Sequence, residues 1–430
     1  LIPENMDTSI TTVFPRPGQA FWTFSAVWAG WLWGSKAVHP MRSALSRRRY
    51  DWFWFTKAVH VALNRISTSV GDNSLCLGIL PEYTPNLTFG LFTGMHTAGY
   101  KLEGSAYRLS DAALQCQWKR MTPSARTPRS EINFRNSIEQ YLSSRGEPSE
   151  YHHIIMDTII EYTLKNGISE NLSEISETDF TKIQNLIKQL LLKVDFLHPH
   201  PSELSGGSRW WLVNEKNIQL PLSEKVEIAI RDILISQNQI HRNSLDWEIC
   251  SLFLGSLTPE TDLIETILRS YAEPISENDM VFQINENESI SSRNDDLNEI
   301  KEMVKIIGES FQLDVSDNFP IYWTEKISGE ILYAFYLTDT AEISKFLIEH
   351  KQADDVHKII VFPGSRSSLI SYRLLHDPRL ASLAEEKWHF LKFRSVRSLV
   401  KRENLNLKIW SEIIDSDPPL KNPPQQLPII

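Results

Sequence analysis

One short stretch near the start of the chain combines residue types and a spacing that could form a substrate-holding loop. Residues 11–22 read TTVFPRPGQAFW, in which a β-branched lead-in runs into Phe14, Pro15, Arg16 and Pro17. The two prolines restrict the backbone to a turn just after a predicted strand. None of these four side chains offers a carboxylate or an amide. The stretch therefore has the shape of an active-site loop, and its residues do not supply the chemistry.

The histidines that could bind a metal are not spaced as a ligand set. His152 and His153 begin a predicted helix beside no carboxylate pair at ligand spacing. His198 and His200 flank a proline in a predicted loop and are typical of a stiff connector. We therefore expect no metal site.

Cysteine and glycine patterns likewise predict neither a disulfide framework nor a cofactor loop. Cys76, Cys116 and Cys250 lie far apart and without C-x-x-C spacing, which fits a reducing, cytoplasmic compartment. The glycine-containing stretches at 204–210 and 362–366 lack the G-x-G spacing of a cofactor loop that follows a strand.

The formal charge of −10 on the 430 residues conceals an uneven distribution. Residues 1–130 hold 14 Lys and Arg against 7 Asp and Glu, a balance of +7, which leaves −17 for residues 131–430. Tryptophans also cluster in the basic part. Interleaved cations and rings are typical of nucleic-acid surfaces, because cations pair with phosphates and rings stack on bases. The alternative is that the tryptophans form a core and the arginines its solvated rim. The candidate nucleic-acid-binding residues are Arg16, Arg42, Arg47, Arg48 and Arg49.

Helices and strands alternate around the candidate loop. Residues 18–38 are apolar nearly all round and include several small residues, which predicts a buried helix with close neighbours. Residues 39–70 predict a second helical stretch. The remaining elements are a strand at 74–82, a helix at 84–99 with Thr84 as N-cap and Pro85 at its first position, and antiparallel strands at 101–110 and 113–121.

This order of elements resembles the C-terminal half of a class I S-adenosylmethionine-dependent methyltransferase and is most similar to the amino-methylating DNA methylases. The segments TKAVHVALNRI, GDNSLCLGIL and the helix that ends in TAGY carry the resemblance. In that family a strand ends in an Asp/Asn-Pro-Pro-aromatic tetrapeptide that holds the amine of a flipped-out base. Phe14-Pro15-Arg16-Pro17 stands in its place, and only Pro15 matches. The resemblance implies a partial Rossmann-like sheet over residues 1–120 with a degenerate catalytic loop.

The resemblance also implies that a cofactor would bind to the N-terminal half of the fold. The sequence lacks the motifs of this cofactor-binding half. S-adenosylmethionine needs a strand that runs into a glycine-rich loop, followed by an acidic residue, and residues 1–430 show no such combination. We therefore expect no cofactor in this chain. Because the sequence opens on Leu1, an alternative is a truncated enzyme whose cofactor-binding half lies upstream.

The middle of the chain is predicted to be helical. Residues 121–222 are predicted as a linker followed by helices, and residues 223–275 give three helices that resemble a winged-helix domain. The third of these helices offers several carboxylates and the single Arg269, where a DNA-reading helix would offer Arg, Lys, Asn or Gln. This favours a protein partner for the segment over DNA. An acidic stretch at 276–297 is predicted as a linker.

Residues 298–404 resemble a restriction-endonuclease-like fold, since helices alternate with strands that include 320–323 and 331–338. Active members of that family carry an acid on the first of these strands and Glu-x-Lys on the second, and together these bind a divalent metal. Neither strand carries a carboxylate here, and Glu330 and Asp339 only flank the second strand. The scaffold is therefore predicted to be inert.

The sequence thus predicts a multi-domain α/β protein. A partial Rossmann-like methyltransferase sheet leads into a helical and winged-helix-like middle and an α/β restriction-endonuclease-like domain, and a Pro-rich tail follows at 405–430. The preferred function is a non-catalytic, DNA-associated module related to DNA methylases. The alternatives are an amino-methylating DNA methyltransferase completed upstream of Leu1 and a structural adaptor that binds no nucleic acid. No stretch of about 18 apolar residues is free of charge, so we expect no membrane contact.

Overall fold

The computed structural model is a mixed α/β structure, and its described residues form four separate sheets of three to five strands. Three hydrophobic cores hold it together, one within residues 14–212, one within 222–390 and one within 300–414. The structure describes residues 9–16, 18–46, 51–71, 73–82, 84–108, 113–121, 133–165, 168, 171–193, 197–201, 208–213, 219–275, 280–349, 355–402 and 405–414.

The first sheet has four strands, which are β1 (Ile10–Val13), β2 (Leu75–Leu80), β3 (Tyr100–Arg108) and β4 (Ala113–Arg120). Their order across the sheet is β1-β2-β4-β3. β1 and β2 run parallel, and β4 lies antiparallel between β2 and β3. Exposed and buried residues alternate along β2, so one face of this strand is packed and the other is open.

Five helices accompany this sheet, which are α1 (Gln19–Trp33), α2 (Ser35–Val38), α3 (Arg42–Leu45), α4 (Trp52–Ile66) and α5 (Pro85–Thr97). The predicted start of α5 is confirmed, because the Thr84 hydroxyl accepts a hydrogen bond from the Leu87 N–H at 3.4 Å and Pro85 takes the first position. α4 packs closely on α5. A Cβ at Gly94 would lie 2.8 Å from the Val59 side chain, so this approach requires glycine.

The core of the first sheet continues past residue 120. Its further elements are α6 (Phe134–Arg145), β5 (Ser149–Glu150), α7 (Tyr151–Leu164), α8 (Glu177–Leu191), β6 (Leu197–Pro201) and β7 (Ser208–Leu212). The strands form an antiparallel sheet in the order β5-β7-β6. α8 begins with a capping box of Ser176 and Asp179. α7 buries Ile154, Ile155 and Ile159 in the same core as β2 and β4.

The next unit begins with three helices and three short strands. They are α9 (Leu222–Gln237), β8 (Gln239–His241), α10 (Arg242–Leu252), α11 (Thr261–Tyr271), β9 (Ala272–Pro274) and β10 (Val281–Ile284). The strands form an antiparallel sheet in the order β8-β10-β9. Leu234, Ile249 and Ile267 from the three helices are fully buried against one another and the sheet.

A five-stranded sheet in the order β11-β12-β13-β14-β15 forms the last part. Its elements are α12 (Ile290–Ser310), β11 (Asp314–Val315), β12 (Ile321–Thr324), β13 (Ile331–Leu337), α13 (Ser344–Glu349), β14 (His357–Phe362), α14 (Ser367–His376), α15 (Pro378–Ala384), β15 (Trp388–Lys392), α16 (Phe393–Val400) and α17 (Leu407–Ile414). The first three strands are antiparallel and the last three are parallel.

The two faces of this sheet belong to different cores. Ile360 and Phe362 of β14 point into the core that also holds α9 and α11, whereas Ile359 and Val361 point into a core closed by α12, α16 and α17. The three-helix unit and the five-stranded sheet therefore share one hydrophobic core.

Trp410 of α17 is 1% exposed, so the segment predicted as a Pro-rich tail begins with a packed helix. Residues 415–430 of that segment lie outside the described part.

Residues 281–297, within the stretch predicted as an acidic linker, are regular structure. β10 ends at Ile284 and α12 begins at Ile290. Glu288 between them is 5% exposed and pairs with Arg366 at 2.5 Å and with Arg293. Glu288 of this stretch thus has buried partners that the composition does not reveal.

The prediction that α1 is a buried helix is wrong. Ala26 and Ala29 are buried, but Trp31 and Trp33 are 75% and 73% exposed. α1 contacts the short helices α2 and α3, which cover only part of its surface. An apolar helix buries only the face for which the fold supplies a neighbour.

No helix in the described ranges combines the length and the apolar character needed to cross a membrane.

Candidate nucleic-acid interface

The candidate loop lies at the carboxyl end of β1, where the parallel strand β2 also ends. Val13 pairs with Ile79, and the Phe14 N–H donates a hydrogen bond to the Ile79 carbonyl at 2.9 Å. Arg16 lies beside Glu82, with 3.5 Å between Nη1 and Oε2. Both of these side chains are more than half exposed, so the pair adds little to stability and leaves Arg16 accessible.

Phe14 belongs to the core rather than to the loop surface. It is 8% exposed, and its ring meets the Trp118 ring edge to face with 5.8 Å between centroids. Gly78 on β2 makes room for both rings, because a Cβ there would lie 2.5 Å from Phe14 and 2.7 Å from Trp118. A phenyl ring offers no hydrogen-bond acceptor of the carboxylate or amide kind.

The structure describes two of the five candidate arginines. Arg16 is exposed at the loop, and Arg42 is exposed at the start of α3. The role of these cations in nucleic-acid binding stays a prediction. Pro17, Arg47, Arg48 and Arg49 lie outside the described residues.

α1 presents an exposed aromatic surface just after the loop. Phe24 and Trp28 are 65% and 57% exposed, and Trp31 and Trp33 are more exposed still. Trp28 and Trp31 meet edge to face with 5.4 Å between ring centroids. Exposed rings of this kind can stack on unpaired bases. Sequence reasoning missed this surface because it took the all-round apolar pattern of α1 as a sign of burial.

An apolar groove of about 220 Å³ lies between β1, α1 and α4. Ile10, Pro15, Phe21, Phe55 and Leu63 are among the residues that line it. β1 pairs with β2 alone among the described strands. No described strand pairs with the backbone N–H and C=O groups along its other edge, which lies beside this groove.

The third helix of the three-helix unit does not face solvent as a DNA-reading helix would. α11 packs between α9 and α14 and buries Leu263, Ile267 and Tyr271. Its Glu265 pairs within the unit with Arg242 at 2.5 Å. α14 of the same chain thus covers much of the helix for which the sequence favoured a protein partner.

The region that would hold a nuclease metal carries no carboxylate on β12 or β13. Glu330 precedes β13 and Asp339 follows its end. A seven-residue strand is about 20 Å long, so these two carboxylates cannot share one metal ion.

The candidate histidines differ in burial, and His153 has a packing role. His153 is 5% exposed, and its Nε2 lies 3.7 Å from Glu260 Oε1. Burial lowers the pKa of His153 below its ordinary value and outweighs the opposite effect of Glu260. His152 is exposed, and the side chains of His198 and His200 lie outside the described part. Within the described ranges no group of three or more His, Cys, Asp or Glu residues could hold a metal ion.

The three cysteines form no disulfide bond in the described part of the chain. Cys76 and Cys116 are buried in the first sheet, and Cys250 is half-buried on α10. Burial raises the pKa of the Cys76 thiol to about 11, which keeps it protonated and unreactive at neutral pH.

The glycine-containing stretch at 362–366 connects β14 to α14 and has a structural use. Arg366 is fully buried, and its Nε donates a hydrogen bond to the Asp339 carbonyl at 3.2 Å. Its guanidinium also pairs with Glu288 and lies 3.5 Å above the centre of the Tyr271 ring. Of the other stretch, 204–210, residues 204–207 lie outside the described part.

The surface at the carboxyl end of β1 therefore combines the exposed Arg16, an exposed aromatic helix and an apolar groove, and the Phe14 ring at this end of the strand is buried. No protein-family model, curated protein or solved structure matches this chain.

Proposed function

We propose that this chain is a non-catalytic, DNA-associated module whose first sheet is the C-terminal half of a class I methyltransferase fold. One observation carries the proposal: β4 is inserted antiparallel between β2 and β3, beside the parallel pair of β1 and β2. An antiparallel pair that closes a parallel sheet is what the methylase resemblance implies. The loop at the end of β1 then takes the position of the catalytic tetrapeptide, with the Phe14 ring turned into the core.

The proposal extends to the other two parts of the chain. Three helices and a β8-β10-β9 sheet, in which β8 follows the first helix and β9 and β10 follow the third, support a winged-helix-like unit over residues 223–275 and the strand that follows it. A helix, antiparallel strands and then parallel strands support a restriction-endonuclease-like domain over 298–404. The absence of carboxylates from β12 and β13 supports its role as an inert scaffold.

Electrostatics and stacking support the DNA association. The +7 balance of residues 1–130 draws a polyanion to this part of the chain, and the −17 of the rest repels it. Contacts with phosphates set affinity without reading sequence, so binding is weak, salt-sensitive and indifferent to base order. The exposed Trp31 and Trp33 add stacking on unpaired bases.

Fluorescence anisotropy with labelled single-stranded and duplex DNA at several salt concentrations tests the proposal. Replacing Arg47, Arg48 and Arg49 by Ala lowers duplex affinity and reduces the slope of log K against log salt by up to about 0.9 per lost phosphate contact. Replacing Trp31 and Trp33 by Ala weakens single-strand binding by about 1–3 kcal/mol per lost stack. Trp247→Ala is the matched control, because Trp247 is 72% exposed on α10 in the acidic part of the chain.

The outcome that contradicts the proposal is specific. If the parent does not bind at low salt, or if both variants bind like the parent, the arginines and tryptophans do not contact nucleic acid. A structural adaptor without nucleic-acid binding then replaces the DNA-associated module.

A second candidate is an amino-methylating enzyme in which another segment supplies the cofactor half. The edge of β1 and the apolar groove beside it favour this candidate, because further strands and helices could pair and pack there. Methyl transfer from labelled S-adenosylmethionine to DNA would support it, and no transfer in the presence of that segment would remove it.

A further inference from the structure

The exposed rings of α1 form one aromatic stripe along the helix, made of Phe21, Phe24, Trp28 and Trp31. These residues follow one another at intervals of three or four positions, which places them on the same side of an α-helix. Their exposed fractions are 40%, 65%, 57% and 75%. The aromatic stripe is therefore a surface that the described part of the chain leaves uncovered.

α1 lacks the side chains that read a groove of duplex DNA. Residues 20–33 contain no Arg, Lys, Asn or Gln and no charged residue of either sign. A duplex shows a protein its phosphates and, in the grooves, the edges of its bases, which such side chains read through hydrogen bonds. The faces of paired bases are hidden in the stack. The aromatic stripe can therefore use only bases that are unpaired.

The charge around the aromatic stripe indicates a polyanionic partner. Residues 8–50 contain six Lys and Arg and no Asp or Glu. Arg16 precedes α1, Lys36 and Arg42 follow it, and all three are exposed. An apolar helix of another protein would leave these cations without an anion. A nucleic-acid strand carries one phosphate for every base, so it supplies anions at both ends of the stripe and rings between them.

The length of the aromatic stripe indicates how much of a strand it can hold. An α-helix rises about 1.5 Å per residue, so Phe21 and Trp31 lie about 15 Å apart along the axis of α1. Bases stacked as in one strand of a duplex rise about 3.4 Å each. The stripe therefore matches about four or five nucleotides. Arg16 and Lys36 lie beyond its two ends, where the phosphates of the same short segment would continue.

We infer that α1 selects single-stranded over duplex DNA, by stacking unpaired bases on the aromatic stripe while Arg16 and Lys36 contact the phosphates at its ends. This inference rests on the proposed DNA association and names the form of DNA that is bound. A duplex keeps the phosphate contacts alone, because its base faces are covered by neighbouring base pairs. The segment that is bound is a single strand or an unpaired stretch within a duplex.

Fluorescence anisotropy of the full chain with a labelled thymidine strand, alone and paired with its complement, tests the inference at one low salt concentration. The parent binds the single strand at least about tenfold more tightly than the duplex, because each stacked base raises the affinity by about 5- to 150-fold. With thymidine strands of increasing length, affinity rises steeply up to about four or five nucleotides and only slowly beyond.

Trp31→Leu separates stacking from apolar contact, because leucine keeps an apolar side chain and removes the ring. Trp31 is 75% exposed, so the variant keeps the fold. Affinity for the single strand falls by about 5- to 150-fold, and affinity for the duplex does not change. Trp31→Phe keeps a ring and recovers most of the loss.

Trp247→Leu is the matched control. Trp247 is 72% exposed on α10, in the acidic part of the chain, so this variant binds both forms of DNA like the parent.

The outcomes distinguish this inference from the proposed function. If neither form of DNA binds at low salt, the proposed function fails and the inference fails with it. If the duplex binds as tightly as the single strand, or if Trp31→Leu binds the single strand like the parent, DNA association stands and the inference is overturned. A loss in Trp31→Leu that appears with phosphatidylserine vesicles and not with the single strand assigns α1 to a lipid surface and also overturns it.

Discussion

Replacing Gly78 by alanine tests whether the Phe14 ring lies in the core of the first sheet. The added Cβ would lie 2.5 Å from Phe14 Cε2 and 2.7 Å from Trp118 Cζ3, well inside the 3.5–4.0 Å at which carbon atoms pack best. Both rings are buried, so one of them or the β2 backbone must shift. Overpacking of this kind costs about 1–3 kcal/mol, and the stiffer unfolded chain returns about 0.4–1 kcal/mol. We expect Gly78→Ala to destabilise the first core by about 1–2 kcal/mol.

Gly104→Ala is the matched control in the same sheet. Nothing lies within 4 Å of a Cβ at Gly104 on β3, so this variant is neutral or is stabilised by about 0.4–1 kcal/mol. The two substitutions are chemically identical and should have opposite or clearly unequal effects.

Hydrogen exchange with mass spectrometry is the suitable assay, because a chain with three cores need not unfold in one step. Peptides from β2 and β4 should exchange about 5- to 30-fold faster in Gly78→Ala than in the parent. Adding Phe14→Leu should reverse part of the loss, with a coupling energy of about 0.5–3 kcal/mol between the two positions. If Gly78→Ala and Gly104→Ala exchange alike, the Phe14 ring does not lie over β2 and the degenerate-loop argument fails.

Three further predictions concern the cofactor, the metal and pH. Calorimetry with S-adenosylmethionine should give no saturable heat, because residues 1–430 contain no glycine-rich loop followed by an acid; saturable micromolar binding would contradict this. The chain should not nick supercoiled plasmid with Mg²⁺ or Mn²⁺, because β12 and β13 carry no carboxylate; nicking that Asp339→Ala or Glu330→Ala abolishes would reveal a site we have misplaced. Burial and the nearby Glu161 raise the pKa of Asp157 to about 7 from 3.8. The folded chain therefore keeps a proton that the unfolded chain releases, and stability falls as pH rises from about 4 to about 7. The urea midpoint of Asp157→Asn should therefore fall less over this pH range than that of the parent, because the variant lacks this contribution, and parallel plots of midpoint against pH for the two proteins would refute the shift.

Local signals in the sequence were enough to predict several elements. Thr84 and Pro85 define the start of α5, and the alternation over 101–110 and 113–121 predicts the pair of β3 and β4. These features depend on capping and on period-2 patterning, which neighbouring residues determine. Their place in the sheet does not depend on such signals. The insertion of β4 beside β2 is a pairing between residues about 40 positions apart, which no local pattern encodes.

The candidate sites were harder to predict for the same reason. Phe14 is core because Gly78 and Trp118, distant in sequence, make room for its ring. Trp31 is exposed because few elements of the fold pack against α1. The apolar composition of α1 by itself favours burial.

The most direct test of the proposed function is photocrosslinking of the full chain to single-stranded DNA that carries 5-bromodeoxyuridine at random positions, followed by peptide mapping. The account predicts crosslinks at Trp31, Trp33 and the flanking residues of the basic part, which disappear at high salt, and none on residues 298–402. Crosslinks confined to the five-stranded sheet and its helices, or an absence of crosslinks at low salt, would contradict it.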